Sequence, residues 1–233
     1  MAEVLDGMPE VETYSPRVKF GGMFSNFTET TNIRLNGIIP EREFKTVPLL
    51  PDRIVEGKKT LGKGEMLLPA LLARGMGVKV GDPVVVVATN QDGSVNGKQF
   101  LVAGILEGVT GPGGRDGYIH LDDAVETLRM REPEVSEIAV RLKDFGRLAQ
   151  VRARLDALVA GEKTPGGKPL FEVHTWEALS PFFNVARMID VMTFFIKLML
   201  IAIVLIAAVV LFPGRRSVPV RPLTATRPGS RFS

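Results

Sequence analysis

Few side chains in this 233-residue sequence have both the type and the spacing that chemistry asks for. His120 lies close to Asp116, Asp122 and Asp123, a set from which metal ligands could be drawn. A zinc site needs three or four such donors converging, and no second His-rich segment completes this one. The better reading has His120 closing a strand, with Asp122 and Asp123 at a helix start, where the helix dipole favours acids. Gly108–Gly117 (GVTGPGGRDG) is glycine-rich but lacks the Lys-Ser/Thr pair of a phosphate-binding loop. It also does not open a helix in G-x-G-x-x-G register, so it reads as a plain loop. His174 stands beside Trp176 and Glu177 with no serine spaced to be its partner, which leaves no acid–base pair. Asn26-Phe27-Thr28 fits the N-glycosylation pattern, too short to weigh alone. The absence of cysteine excludes thiolate zinc sites, a cysteine nucleophile and a disulfide scaffold. No catalytic, cofactor-binding or metal residue is expected, and no cofactor.

The elements that surround these residues alternate between strand and helix signals. Val11–Phe20 is β-rich, and Asn32–Ile39 alternates apolar and polar residues until Pro40 stops it. Glu41–Phe44 suits one helical turn. Gly64–Leu68 reads as a short strand, followed by a helix over Pro69–Arg74 with proline first and Gly75 past the end. Val84–Thr89 and Gln99–Leu106 form an antiparallel hairpin whose polar tip carries Asp92-Gly93 and Asn96-Gly97. Gly117–His120 is a strand, Leu121–Met130 a helix and Val135–Leu142 a strand. Asp144 caps a helix over Phe145–Ala160, where Leu148, Val151, Leu155, Leu158 and Val159 share one face. Leu170–His174 reads as a last strand. Ser180-Pro181 then caps a helix with no breaker before Pro213, about 48 Å of helix if continuous.

Charge and hydropathy divide the chain unevenly. The net charge of +3 hides a tail, Pro213–Ser233, with five arginines (Arg215, Arg216, Arg221, Arg227, Arg231) and no acid. The remaining 24 basic and 26 acidic residues leave the folded part slightly negative, which argues against a nucleic-acid-binding domain. Phe194–Phe212 (FFIKLMLIAIVLIAAVVLF) has Lys197 as its only charge and is long enough, at about 28 Å, to cross a hydrocarbon core. The arginines beyond it place the tail in the cytoplasm and Met1–Val191 outside. MAEVLDGMPEVETYSP has neither the basic nor the apolar region of a signal peptide. Either an upstream membrane helix is missing or the fragment is oriented otherwise.

GEMLLPALLARGMGVKVGDPVVVVA, then KQFLVAGILEG, then GYIHLDDAVETL, resembles the periplasmic core domain of MacB-type ABC permeases. It looks closest to the lipoprotein-releasing, LolC/LolE-like branch of the FtsX family. The matching features are the Pro69–Gly75 helix, the Gly81-Asp82 turn, the Phe100–Ile105 strand, the Tyr118–Asp123 helix start and the long helix after Trp176. Met8-Pro9-Glu10-Val11 and Leu35–Glu43 (LNGIIPERE) resemble two further family motifs. Two departures stand out: the family's first membrane helix does not precede the domain, and LFPGRRSVPVRPLTATRPGSRFS replaces its coupling segment. The Arg/Pro/Ser/Thr composition of that tail reads as a truncated or frameshifted permease fragment.

The resemblance implies an α+β, MacB-like periplasmic core domain over residues 1–180. A stalk and transmembrane helix over 181–212 and an Arg/Pro-rich cytoplasmic tail over 213–233 would follow. It implies a non-catalytic permease subunit of the inner membrane that couples ATP hydrolysis to periplasmic conformational change for lipoprotein release or export. Its partners would be a cytoplasmic ABC ATPase on a separate chain, a permease homo- or heterodimer, a lipoprotein or periplasmic chaperone, and the lipid bilayer, with no nucleic acid. The hairpin tip Asn90–Lys98 and the Gly108–Gly117 loop are the expected contact surfaces. The alternative is a membrane-anchored extracytoplasmic binding or adaptor module that meets no ATPase.

Overall fold

Met66, Leu67 and Leu68 are three consecutive apolar residues, and in a strand consecutive side chains point to opposite faces. All three are fully buried in the computed structural model, so their strand, β4 (Glu65–Pro69), is covered on both sides. The structure describes residues 1–90, 92–107, 116–131, 134–163, 166–167, 169–179 and 181–211, with the side chains of 181–184, 186 and 209–211 excepted. The chain forms two compact units, Met1–Leu155 and the part from Asp156 onward.

The first unit is a mixed α/β domain built around β4. This strand runs parallel to β6 (Val95–Leu106) and antiparallel to β7 (Asp116–His120). β7 lies parallel to β2 (Thr30–Ile38), which pairs antiparallel with the long β1 (Val11–Ser25). β1 pairs in turn with β5 (Pro83–Thr89), the hairpin partner of β6, so these six strands close a circuit. β3 (Ile54–Gly57) adds to β6, and β8 (Glu137–Leu142) to the first half of β1.

Alternate residues of the six strands meet in one core: Phe24, Ile33, Leu35, Met66, Leu68, Val84, Val86, Phe100, Val102 and Ile119. Fully burying a side chain of this size contributes about 1.5–3 kcal/mol. A second core lies on the other side of β4, where Leu67, Ala103 and Leu106 meet Ile38, Leu50 and Ile54. Phe44 of α2 (Pro40–Thr46) packs against it, and Leu50 comes from α3 (Leu49–Asp52). α5 (Leu121–Thr127) approaches β2 so closely that a Cβ on Gly37 would lie 2.5 Å from the Ala124 methyl carbon. Gly57, at φ +89°, is needed twice over, since a Cβ there would sit 2.2 Å from the Ala103 carbonyl oxygen.

Several expected boundaries move. β1 continues to Ser25, five residues beyond Phe20, because Gly21-Gly22 interrupts the β-forming composition without ending the ladder. Pro69 closes β4 and stands at the N-cap of α4 (Ala70–Gly75) in extended conformation, not at the first helical position, and Gly75 lies inside that helix. α5 stops at Thr127, ahead of Met130, with Arg129 in the left-handed region at φ +47°. Asp144 caps a 3-10 turn over Phe145–Arg147 by accepting from the Gly146 N–H at 2.9 Å. α6 (Leu148–Val159) begins only after that turn. The helix α1 (Ala2–Asp6), α3 and β3 carry no periodic signal long enough to read.

In the second unit, Leu170–His174 is not a strand. Residues 171–175 have no regular structure, and the nearest β contact is a single bridge between Lys163 and Pro169. α7 (Trp176–Leu179) precedes α8 (Pro181–Leu211), whose 31 residues span about 46 Å. Within α8, Arg187–Ala208 has a mean hydropathy of 2.7 and no buried share, so by length and composition it is able to cross a membrane. Ser180 and the tail from residue 212 lie outside the described residues.

One polar cluster ties the first unit together. Arg17 of β1 donates to both oxygens of Glu43 in α2, at 2.6 and 3.0 Å, and to Glu137 of β8 at 2.6 Å. Lys19 holds the second oxygen of Glu137 at 2.5 Å. Glu43 is only 1% exposed. Burial works against the Arg17 charge, but the bonds and charges of Glu43 and Glu137 outweigh it and raise the guanidinium above its usual range. Burial likewise opposes the Glu137 carboxylate, and the bonds from Lys19 and Arg17 override it, holding that carboxyl below the ordinary glutamate value. Removing one partner of a buried ion pair strands the other, at a cost of about 3–5 kcal/mol. Glu43→Ala is therefore expected to destabilise the protein by about that amount in denaturant unfolding. Because the folded Glu137 value is depressed, its contribution is present above about pH 4.3 and fades as pH falls through the folded value. Thermal melts across acid pH will show this loss in the wild type, and Glu137→Gln will flatten it.

Candidate functional site

The residues with chemical potential are brought near one another but are spent on each other. Asp116 opens β7 and pairs with Arg34 at 2.7 Å. His120 is the N-cap of α5, its Nδ1 accepting from the Asp122 N–H at 3.2 Å. Asp122 pairs with Lys63 at 2.5 Å, a bond that lowers the carboxyl and raises the ammonium. Asp123 is buried, accepting from the Gly64 N–H at 2.7 Å and from Lys98 at 2.8 Å. Lys98 also reaches Glu126. Its partial burial disfavours the charge, and the bonds to Asp123 and Glu126 more than offset that, so its ammonium value is raised. Each acid thus faces a cation or an N–H, and among the described residues no three His, Asp or Glu side chains converge to hold a metal. What this arrangement does is staple α5 to β6 and to the turn before β4.

His174, in the second unit, meets Glu172 at 3.1 Å in an exposed position. A serine to complete an acid–base pair is not among its recorded partners. Residues 108–115 of the glycine-rich loop lie outside the described residues. The Asn26 side chain is engaged in its own turn. Its Nδ2 donates to the Met76 carbonyl at 2.7 Å, and its Oδ1 accepts from the Thr28 and Glu29 N–H groups at 3.0 and 2.7 Å.

The hairpin tip is described except for Gln91. Asn90 is buried and bonds Ser94 through its own N–H and its amide, at 2.7 and 3.0 Å. Ser94 bonds Asp92 through Oγ and N–H, which lowers the Asp92 carboxyl. The outgoing arm is strapped to α5 by the Asn96 amide, which donates to the Thr127 carbonyl at 3.1 Å, and by Lys98. The tip is thus a fixed feature with an apolar flank.

That flank is a shallow groove of about 580 Å³ across the outward face of four strands. Gly21, Gly22 and Met23 of β1 form one wall, Asn32–Arg34 of β2 another, and Val87–Thr89 and Val95 of the hairpin the third. A Cβ on Gly21 would meet nothing within 4 Å, so the missing side chain there leaves open surface. Met23 and Val95 are 50% and 65% exposed. Sequence reasoning singled out the hairpin tip but not this face of β1; the signal for it was the adjacent glycine pair inside a β-rich run. The arrangement offers contact area.

Two measurements check these assignments. Asn26→Ala is expected to lower stability by about 1–3 kcal/mol, because it orphans the Thr28 and Glu29 N–H groups; a variant as stable as wild type in denaturant would contradict the turn-building role. Lys98→Met should raise amide exchange along the Asn96–Lys98 arm at least about tenfold, as expected where local opening becomes easier.

Comparison with known proteins places this domain. The family model described as the MacB-like periplasmic core domain matches residues 1–158. The extracellular domain of the noncanonic ABC-type transporter YknZ from Gram-positive bacteria superposes with a TM-score of 0.52 at 17% identity, over 74% of this chain and 86% of that one. The periplasmic region of MacB from Actinobacillus actinomycetemcomitans superposes with a TM-score of 0.52 at 15% identity, over 81% of this chain and 80% of that one. At such identities these structures share the fold. No curated protein sequence matches the chain. With two thirds of its length covered by one family model, the chain belongs to the MacB-like periplasmic core domain family.

Proposed function

We propose that this protein is a permease subunit of an ABC transporter, with its core domain outside the cytoplasm. On this reading residues 1–180 are the extracytoplasmic portion, 181–212 cross the membrane and 213–233 form a cytoplasmic tail. One conjunction carries the reading. A MacB-like domain over residues 1–158 is followed by a helix whose Arg187–Ala208 stretch is apolar, uncovered and about 33 Å long. A helix of that length and composition is stable in water only if something covers it, and hydrocarbon does so without a partner.

The subunit performs no chemistry itself. A cytoplasmic ABC ATPase on a separate chain hydrolyses ATP, and the permease, working as a homo- or heterodimer in the inner membrane, converts that into movement of its domain. The motifs LNGIIPERE and GYIHLDDAVETL support the lipoprotein-releasing branch, which makes a lipoprotein or a periplasmic chaperone the expected partner of the domain. The hairpin and its apolar groove, which present Met23 and Val95, are the proposed contact surface.

Gentle solubilisation and affinity purification of the tagged full chain tests this. Recovery of an ABC ATPase subunit at near-equal stoichiometry, with ATP hydrolysis in the complex, is the expected result. A stable chain recovered repeatedly without any ATPase would favour an anchored adaptor module instead.

A further inference from the structure

β1 changes partners along one of its edges. β2 holds its Arg17–Ser25 stretch throughout, so the opposite edge takes β8 as far as Arg17 and β5 from Met23 onward. Ser136 extends the pairing with β8: its N–H donates to the Arg17 carbonyl, and its Oγ accepts from the Lys19 N–H at 2.9 Å. In an antiparallel ladder the N–H and C=O of one residue face one edge, and those of the next residue face the other. Arg17 and Lys19 set that alternation, and Gly21 is the next residue to face this edge. The β1–β2 register runs from Arg17 to Ser25 without a shift, so no bulge interrupts it.

Among the described residues Gly21 has no ladder partner on this edge. Continuing the register of Met23 with Val87 sets it opposite Thr89, yet the β1–β5 ladder ends at Met23 and Val87. Thr89 is left in the same position. The Asp82 carbonyl accepts from the Val102 N–H, and the Asn90 N–H donates to the Ser94 carbonyl, so the even-numbered residues of this arm face β6. The β5–β6 register has no shift, which turns Val85, Val87 and Thr89 toward β1. Two N–H and two C=O groups, from Gly21 and Thr89, thus face the place where the strands part. Both residues are exposed. The groove described above lies at this parting, with Gly21–Met23 on one side and Val87–Thr89 on the other. Its lining reaches Ile33 and Ala88, at 2% and 3% exposure, so it descends between the strands to the core.

We infer, resting on the reading of this groove as the contact surface, that it receives an extended peptide segment of a partner protein. The segment pairs by its main chain with Gly21 and Thr89. An acyl chain could fill the same apolar volume, but it would bury these four polar groups without partners, and that is costly. A peptide strand carries N–H and C=O groups at the matching spacing, as in other cases where a strand is added to an open sheet edge. Its side chains alternate between faces, and on the outer face they meet Met23 and Val95. The groove therefore selects a segment with an apolar residue at every second position and is otherwise tolerant of sequence.

The test pans the full chain, purified in detergent, against random linear peptides displayed on phage, and the enriched sequence is then synthesised. Enriched peptides are expected to carry apolar residues at alternate positions. The Gly21 and Thr89 amides should exchange freely in the unbound chain and slow at least about tenfold with the peptide bound. N-methylation at every second peptide residue should weaken binding at least about tenfold, and N-methylation at the intervening residues should leave it unchanged. Gly21→Pro and Thr89→Pro each remove a donor that the fold leaves unused, so each should weaken binding to that degree at an unchanged melting temperature. No enriched peptide, binding indifferent to the site of N-methylation, or unchanged exchange at both amides would overturn the inference. So would a proline variant that binds like wild type or melts lower. None of these outcomes alters recovery of an ATPase with the chain, so the permease reading stands or falls separately.

Discussion

Arg17 is the constraint on which the first unit depends. β1 pairs with β2, β5 and β8, and a strand with so many neighbours must be held in one register with all of them. A one-residue slip would turn Val18 and Phe24 out of the core. The Arg17 guanidinium prevents that by bonding Glu43 and Glu137 together, which locks α2, β1 and β8 at a single point. Buried ion pairs add little net stability compared with apolar residues, but they penalise wrong arrangements heavily. The clamp specifies the register; the two apolar cores on either side of β4 supply the stability.

Around this clamp the polar residues serve attachment. Asp123, Lys98 and Gly64 bind α5 to the sheet, and Asn26 binds the β1–β2 turn to the loop after α4. Asp116, Asp122 and Asp123 are each matched by a cation or an N–H. Met23 and Val95 remain as exposed apolar groups on the first unit.

Much of this was legible in the residues. The hairpin of β5 and β6 announced itself through Asp92-Gly93 and Asn96-Gly97, and His120 with its two aspartates marked the start of α5. Signals of that kind are local, carried by turn chemistry and caps. The errors have the opposite character. Leu170–His174 alternates like a strand, but among the described residues no strand pairs with it, and alternation alone does not make a sheet. α3 and β3 are four residues each, too short for any period to show. The Arg17 clamp joins residues 26 and 120 positions apart, and the groove joins the β1–β2 pair to the β5–β6 hairpin more than 50 residues further on. Such sites become visible only when the topology brings their parts together.

The claim that the first unit stands outside the cytoplasm on a membrane-crossing α8 is open to one direct measurement. The chain has no cysteine, so a single Glu41→Cys on the exposed side of α2 is a clean reporter of sidedness. Intact spheroplasts expressing the full chain would be treated with a membrane-impermeant maleimide. The account predicts that Cys at position 41 is labelled fully before any permeabilisation. Labelling that appears only after the membrane is opened would place the domain in the cytoplasm and contradict the account.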